Sequence, residues 1–408
     1  MNAHRVMVLG VVAVVALGAA LWSSQTRRPG QEEVVAQPLV AGLEAGINDV
    51  SQLRIRTAGD TLQATLKRVD NRWVLAEKDN FPVDVNLLRE YLVKLARAKR
   101  VEAKTDNPAL YDRLGVEEIS AKEAGGVQIE IEGLPQPVKL ILGRNVTRGS
   151  GTYARHAGEA QSWLVDGDLA VERVAANWLR RELIDIAAGR MQRVSVTPVN
   201  GPAISIVRAA AGAVNDFALS NLPKGREAAS DFVADATAGF LSGLRFDDVL
   251  RAADAAAPAK GATHASFATE DGISVDVTAW KVGEATQAQF NAMLDEAVAA
   301  ASVESAQAKA LREHEAPKMQ AESKEAPDTA VKAASETNAQ TVAVPAKSEQ
   351  PVPLAATDPA KDREQRLAAL RAEVETLNAR FSGKTFVLPS FKAANLHKSF
   401  EEYLKPKA

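Results

Sequence analysis

Residues 127–142 read VQIEIEGLPQPVKLIL, two alternating runs separated by a turn. Every second position in each run is apolar, at Val127, Ile129 and Ile131 and then at Val138, Leu140 and Leu142. Alternation with a period of two is typical of β-strands that bury one face. The Gly-Leu-Pro-Gln-Pro segment between the runs has turn chemistry. This stretch therefore predicts a β-hairpin.

The chain before the hairpin predicts more strands and then a helix. Three short alternating runs within residues 50–75 predict an antiparallel meander, with turns at Asp60 and at residues 70–71. Residues 84–101 read DVNLLREYLVKLARAKRV, with Asp84 as N-cap and a leucine stripe at helical spacing. Beyond the hairpin, residues 169–186 predict a second amphipathic helix that ends near Gly189.

The same order then begins again, which indicates an internal duplication. At one constant offset, Phe240, Leu241, Leu244 and Leu250 align with Tyr91, Leu92, Leu95 and Val101, which predicts a matching helix. Residues 265–280 repeat the hairpin, with Gly272 in the place of Gly133, and residues 386–404 repeat residues 163–182. We expect one α+β unit at 48–189 and a second at 190–282 and 384–408.

The second unit carries an insertion at 283–383 that the first unit lacks. Its beginning, Glu284–Glu315, is rich in alanine and predicts a helix with Phe290, Met293 and Leu294 on one face. Residues 316–357 have few large apolar side chains, a composition typical of disorder. Asp358 and Pro359 then predict the start of another helix.

This last helix carries a heptad-like apolar seam at Leu367, Leu370, Val374, Leu377 and Phe381. The seam spans about two heptads, fewer than a free-standing coiled coil needs. Two interpretations remain: the two inserted helices pack on each other as an antiparallel arm, or the seam contacts a protein partner.

The N-terminal stretch Val6–Trp22 reads VMVLGVVAVVALGAALW and contains no charged residue. It suits a single membrane-spanning anchor, a signal peptide cleaved after Ala20, or a buried core helix. Basic residues stand on both sides of it, so the positive-inside rule is nearly balanced. We expect a transmembrane anchor at 1–23 and a polar stalk at 24–47. The chain would then be a single-pass protein of a bacterial inner membrane with its bulk in the periplasm.

Composition limits the functions that remain. The 408 residues carry a net charge of −3, 46% are hydrophobic, and none is cysteine. This charge provides no basic surface for nucleic acid, and the absence of cysteine rules out disulfides and thiolate zinc sites. The histidines are widely separated, and the SGKT sequence at 382–385 lacks the earlier glycine of a phosphate-binding loop. The sequence indicates no catalytic residue, no cofactor-binding residue and no metal ligand.

Several junction motifs resemble a known family. They are Tyr111, Leu114 and Gly115, then Leu142–Gly143, then GLRFDDV at 243–249, and finally FVLPSFK at 386–392. Together they resemble a bacterial membrane-anchored family of unknown function (domain of unknown function 4340), over most of residues 48–280 and 384–404. Its members are similar to proteins encoded beside gliding-motility-type ABC transporters. The resemblance implies an accessory role in export or envelope assembly and supplies no functional residues.

The sequence therefore predicts an α+β protein of two duplicated units with antiparallel or mixed sheets, an N-terminal transmembrane helix and an inserted helical arm with a disordered linker. We expect a non-enzymatic scaffold or accessory subunit of a transporter-like or envelope-assembly complex. It would contact the membrane through Val6–Trp22 and a protein through the arm. The alternative is a periplasmic protein that binds a ligand in a cleft between the units.

Overall fold

The computed structural model describes residues 37–147, 149–209, 216–229, 231–322 and 353–406. The chain divides into two compact units, Met1–Arg180 and Arg181–Ala408. Among the described residues, no helix is long and apolar enough to cross a membrane. The predicted anchor at Val6–Trp22 lies outside them.

The described part of the first unit is built on a nine-stranded antiparallel sheet with strand order β4-β3-β2-β1-β6-β7-β8-β9-β5. Its strands are β1 (Gln52–Thr57), β2 (Thr61–Val69), β3 (Arg72–Leu75), β4 (Phe81–Pro82), β5 (Arg100–Ala103), β6 (Val127–Glu132), β7 (Val138–Asn145), β8 (Thr152–His156) and β9 (Ser162–Val165). Its α-helices are α1 (Leu43–Gly46), α2 (Val85–Arg97) and α3 (Tyr111–Leu114).

The predicted hairpin is β6–β7. Strand β1 is the first strand of the meander β1–β4 and lies beside β6, so it connects the meander to the hairpin within the sheet. The helix α2 begins where the Asp84 carboxylate accepts hydrogen bonds from the backbone N–H groups of Asn86 and Leu87. Its leucine stripe is buried, as the spacing predicts. Leu53 and Ile55 of β1 are fully buried on one face of the sheet, so this face and the helix supply the core of the first unit.

The second unit contains an eight-stranded antiparallel sheet with strand order β13-β12-β11-β16-β17-β18-β19-β15 among its described residues. Its strands are β11 (Met191–Thr197), β12 (Ile204–Arg208), β13 (Phe217–Leu219), β15 (Asp248–Arg251), β16 (Thr263–Thr269), β17 (Ile273–Val282), β18 (Ala285–Leu294) and β19 (Lys384–Leu388). Two short strands, β10 (Glu182–Ile184) and β14 (Leu244–Arg245), pair separately. Its α-helices are α4 (Asp231–Ala238), α5 (Glu296–Glu322), α6 (Leu354–Thr357), α7 (Pro359–Phe381) and α8 (Ser390–Ala393).

The two sheets have one strand order in common. In each, a meander of four strands in the first unit and three in the second is followed by a helix and by a strand that returns to the far edge of the sheet. Four further strands then fill the space between the meander and that edge strand. Thus β11, β12 and β13 take the places of β1, β2 and β3, and the hairpin β16–β17 takes the place of β6–β7.

Three predicted helices are wrong in whole or in part. Residues 169–186 contain no α-helix: they form a 3₁₀ turn at Ala175–Trp178 and the strand β10, and the rest is irregular. The predicted helix through Phe240 ends in a 3₁₀ turn at Gly239–Leu241, and Leu250 lies in β15, as its aligned residue Val101 lies in β5. Residues 285–294 form β18, because their buried side chains alternate and the strand pairs with both β17 and β19.

The predicted domain limits also shift. Residues 37–47, assigned to the polar stalk, bury Leu39, Val40 and Leu43 completely or nearly so. The division between units falls after Arg180 instead of after residue 189, because β10 pairs with β14. Of the segment predicted to be disordered, residues 316–322 are helical in α5 and 354–357 form α6. Residues 323–352 lie outside the described part.

The junction motifs meet in pairs. A Cβ on Gly143 would lie 2.3 Å from the carbonyl oxygen of Leu114, so the Leu114–Gly115 turn and the Leu142–Gly143 strand touch through backbone atoms. In the second unit, the motifs at 243–249 and 386–392 meet where β15 pairs with β19, with Asp248 opposite Val387 and Val249 opposite Phe386. Lys392 Nζ also donates to the carbonyl oxygens of Gly239, Phe240 and Ser242, just before the first motif, at 3.3, 3.3 and 2.7 Å. Burial lowers the pKa of this lysine. The motifs therefore lie where segments that are distant in the sequence contact each other, and they stabilise these contacts.

Candidate functional site

Polar side chains form two rows across one face of the first sheet. The strand register places Arg54 opposite Glu130 and Glu130 opposite Lys139. It also places Arg56 opposite Gln128. Because directly opposed residues in a sheet point to the same side, these side chains share one face. This face is the reverse of the apolar core face.

Glu130 lies at the centre of these rows and is largely buried. Arg54 Nη1 lies 3.3 Å from one of its carboxylate oxygens, and Arg56 Nε lies 3.4 Å from the other. Gln128 Nε2 donates to Glu130 Oε1 at 2.9 Å. Arg54 also pairs with Glu132 at 2.8 Å. A buried carboxylate is tolerable when it is paired and hydrogen-bonded in this way.

The loop at residues 115–124 covers this face. Its backbone accepts hydrogen bonds from the N–H groups of Gly59 and Asp60, through the carbonyl oxygens of Ala121 and Ile119 respectively. The Ile119 side chain is buried beneath it. The cover explains why Gln128 and Glu130 are buried although the alternation in β6 predicts a solvated face.

A buried arginine fixes the same loop. Arg155 is 2% exposed, donates from Nε to the carbonyl oxygen of Val116 at 2.8 Å, and stacks 4.5 Å from the ring centre of Tyr111. Its Nη1 forms an ion pair with Glu118 at 2.8 Å. Burial opposes the ionisation of Glu118, but the Gly158 N–H and Arg155 together lower its pKa below the ordinary value.

Between the loop and the sheet lies a polar cavity of about 490 Å³, which we call the sheet-face pocket. Its lining comprises Arg54, Arg56, Asp60, Glu118, Ile119, Ser120, Gln128, Glu130, Lys139 and Ala157. Arginine, lysine and carboxylate groups surround one concave space of the size that small ligands occupy. The sheet-face pocket is built wholly from the first unit.

The second candidate feature is the helix pair α5–α7, which we call the arm. It is inserted between β18 and β19 at the point where the first unit has only the short connection from β8 to β9. Asn378 ties its base to the sheet: its side chain accepts from the N–H of Ala292 at 2.8 Å and donates to the carbonyl oxygen of the same residue at 2.7 Å. Phe381 packs against Phe290, with ring centres 5.3 Å apart.

Charged residues add to this attachment. Arg190 bridges Asp271 at 2.7 Å and Glu373 at 2.8 Å, so the turn between β16 and β17 is linked to α7. Together, the two ion pairs of Arg190 and the two hydrogen bonds of Asn378 fix the direction in which α7 extends from the sheet.

Farther from the base, the two helices hold each other in antiparallel order. Arg371 pairs with Glu296 at 2.8 Å, and Arg363 pairs with Glu304. Gln307 donates to the Asp362 carboxylate at 3.0 Å. The pairing agrees with the interpretation of an antiparallel arm.

The burial of the predicted apolar seam changes along the length of α7. Leu377 and Phe381, near the base, are buried, whereas Leu367, Leu370 and Val374 are only half-buried. The residues predicted to contact a partner therefore serve two roles in the structure. Two of them anchor the arm, and three leave apolar surface along it.

Two other cavities among the described residues are smaller than the sheet-face pocket. Leu87, Tyr91, Val171 and Trp178 line a mainly apolar cavity of about 300 Å³ in the first unit. In the second unit, His397 lies between the hydroxyls of Thr263 and Thr286 beside a cavity of about 360 Å³, and burial, followed by the charge of Lys281, lowers its pKa. Across the described ranges, no group of three or more histidine, aspartate or glutamate side chains is placed to hold a metal ion.

Comparison with known proteins finds one family. A family model described as "Domain of unknown function (DUF4340)" matches residues 73–261. No curated protein matches the chain, and no solved structure matches it either. The chain thus contains a domain of unknown function on an antiparallel α+β fold. The match includes Glu118, Gln128, Glu130 and Lys139 of the sheet-face pocket, and it excludes Arg54, Arg56 and the arm.

Proposed function

We propose that this chain is a non-enzymatic accessory protein of the bacterial inner membrane whose arm binds a protein partner. The observation that carries the proposal is the arm itself, an insertion fixed rigidly at its base. Its outer part packs as a helix pair and leaves Leu367, Leu370 and Val374 half-buried. Apolar surface on an amphipathic helix is a common docking surface for another protein.

The proposed address depends on the stretch Val6–Trp22. We propose that it is an uncleaved anchor and that the remaining chain lies in the periplasm. The apolar composition of the stretch supports an anchor. The family resemblance supports a partner within a transporter-like or envelope-assembly complex. A reporter enzyme that is active only in the periplasm, fused to the C-terminus, should be active, and inactivity would contradict this orientation.

The partner is tested by a pull-down from detergent-solubilised membranes. The full chain is compared with a variant in which residues 304–366 are replaced by a short Gly-Ser linker, since Glu304 and Arg363 lie opposite each other in the arm. We expect the full chain to recover a stable protein partner and the shortened arm to recover at least tenfold less.

A milder variant controls for damage to the fold. Ala368→Glu with Ala369→Glu alters two exposed positions of α7, and Ala236→Glu makes the same change at an exposed position of α4. We expect only the α7 substitutions to reduce partner recovery. If the full chain recovers no partner, or if all variants recover it equally, the proposal is wrong.

A further inference from the structure

The charges that line the sheet-face pocket fall into paired and unpaired groups. Glu130 is satisfied by Arg54, Arg56 and Gln128, and Glu118 is satisfied by Arg155. Glu130 belongs to the sheet and Glu118 to the covering loop, so these contacts lie on both sides of the pocket. They hold its shape and leave little charge for a ligand.

Two charged side chains of opposite sign in the lining have no such contact. The ammonium of Lys139 and the carboxylate of Asp60 both line the pocket, and neither forms a side-chain hydrogen bond or ion pair within the described part of the chain. Only the backbone of Asp60 is engaged, since its N–H donates to Ile119 and its carbonyl oxygen accepts from Arg56. Both side chains are exposed, so one cation and one anion at the edge of the same cavity are accessible to a ligand.

The total charge of the lining points the same way. Arg54, Arg56 and Lys139 oppose Asp60, Glu118 and Glu130, so the lining is neutral overall. A ligand with net charge would disturb this balance beside Glu130, which is largely buried. A neutral ligand that carries both charges would meet Lys139 with its anion and Asp60 with its cation.

We propose that the sheet-face pocket binds a small zwitterion of the amino-acid type, with its carboxylate at Lys139 and its ammonium at Asp60. The cavity of about 490 Å³ accommodates a free amino acid or a dipeptide. This site is separate from the arm and does not depend on the arm-based function.

The test uses the full chain, screened by thermal shift and then isothermal titration calorimetry. The probes are the twenty free amino acids and the dipeptide Ala-Ala, and the two sets distinguish a free amino acid from a peptide as the source. For each hit, the N-acetyl form removes the positive charge and the carboxamide form removes the negative charge. We expect at least one zwitterion to bind, and both derivatives to bind at least tenfold more weakly.

Two substitutions locate the site. Lys139→Gln and Asp60→Asn should each weaken binding at least tenfold. Asparagine is chosen because Asp60 has a positive φ of 59°, which asparagine tolerates. The matched controls are Lys122→Gln, on the exposed covering loop, and Asp70→Asn, at an exposed turn with φ of 47°. Both controls should retain binding.

Three results would overturn the proposal. They are the absence of binding by every probe at millimolar concentration, equal binding of a zwitterion and its uncharged derivatives, and equal binding by the site and control variants. Thermal melts without ligand confirm that each variant is folded. Partner recovery through the arm is unaffected by any of these results, so the two proposals fail separately.

Discussion

The pair Glu118–Arg155 is the most informative ionic contact of the covering loop. Arg155 is buried, so the loop depends on a charge that would be costly without a partner. Glu118, by contrast, is about half exposed, with a side-chain exposure of 49%. Solvent screening therefore limits what this carboxylate contributes to stability.

Glu118→Gln should destabilise the protein by about 1 kcal/mol at pH 7, because it removes a charge from a partly exposed pair. The folded-state pKa of Glu118 is lowered, so its contribution is present above the unfolded-state pKa and is lost as pH falls through the folded-state value. The difference between variant and parent should therefore shrink as the pH falls from 5 to about 3. Urea unfolding across this range measures it.

Glu123→Gln is the control, since Glu123 is exposed on the same loop. It should change the free energy of unfolding by less than about 0.5 kcal/mol. A Glu118→Gln effect that stays constant with pH would show that the carboxylate charge is not what stabilises the loop.

Among the contacts between secondary-structure elements, the side chain of Asn378 joins the helix α7 to the backbone of the strand β18. Strand β19 pairs with β18 from Thr286 to Ala288. Farther along the same edge of β18, Asn378 binds the backbone of Ala292. Asn378 thus replaces a neighbouring strand for one residue. Without it, the N–H and carbonyl oxygen of Ala292 would lose their partner beneath the helix.

Asn378→Asp tests this contact because aspartate keeps the shape but cannot donate to the Ala292 carbonyl oxygen. We expect a loss of about 2 kcal/mol, the cost of an unsatisfied buried polar group. Amide hydrogen exchange should accelerate at residues 290–294 and at the C-terminal end of α7. Asn200→Asp, the same change at an exposed turn after β11, should leave the exchange at residues 290–294 unchanged. Equal exchange in both variants would contradict the role of Asn378.

The sequence predicts a helix or a strand well where a local sequence pattern alone determines it. The cap at Asp84 and the leucine stripe locate α2, and alternation locates β1 and β6. At 169–186 most of the large apolar residues are buried, although Val174 is exposed. Backbone hydrogen bonds to Pro82 and Asp84 hold Trp178 and Arg180 in non-helical positions. Contacts far apart in the sequence override helical periodicity there.

The candidate site shows the same limit. Arg54, Glu130 and Lys139 are visible in the sequence as polar positions on separate strands, but their common row requires the strand register. The burial of Glu130 further requires the loop 115–124 to fold over the sheet. Neither follows from local patterns, whereas α7 could be predicted because it carries its own start signals at Asp358 and Pro359 and its own apolar seam.

At the scale of the whole molecule, the family match and the structural units have different limits. The match begins at Trp73, within β3, and ends at Gly261, before β16. It therefore omits β1, which joins the meander to the rest of the first sheet, and β16–β19 of the second sheet. The compact units instead divide at Arg180 and Arg181.

Two fragments test which limits describe a folding unit. Residues 37–180 contain every described strand of the first sheet, whereas residues 73–261 contain parts of both sheets without β1. We expect the 37–180 fragment to unfold cooperatively in urea, because its core face is complete. The longer 73–261 fragment should lack a cooperative transition and be digested rapidly by protease, since neither set of strands can bury its apolar face. A sharp transition in the 73–261 fragment, or none in the 37–180 fragment, would show that the first compact unit is not the part of the chain that folds independently.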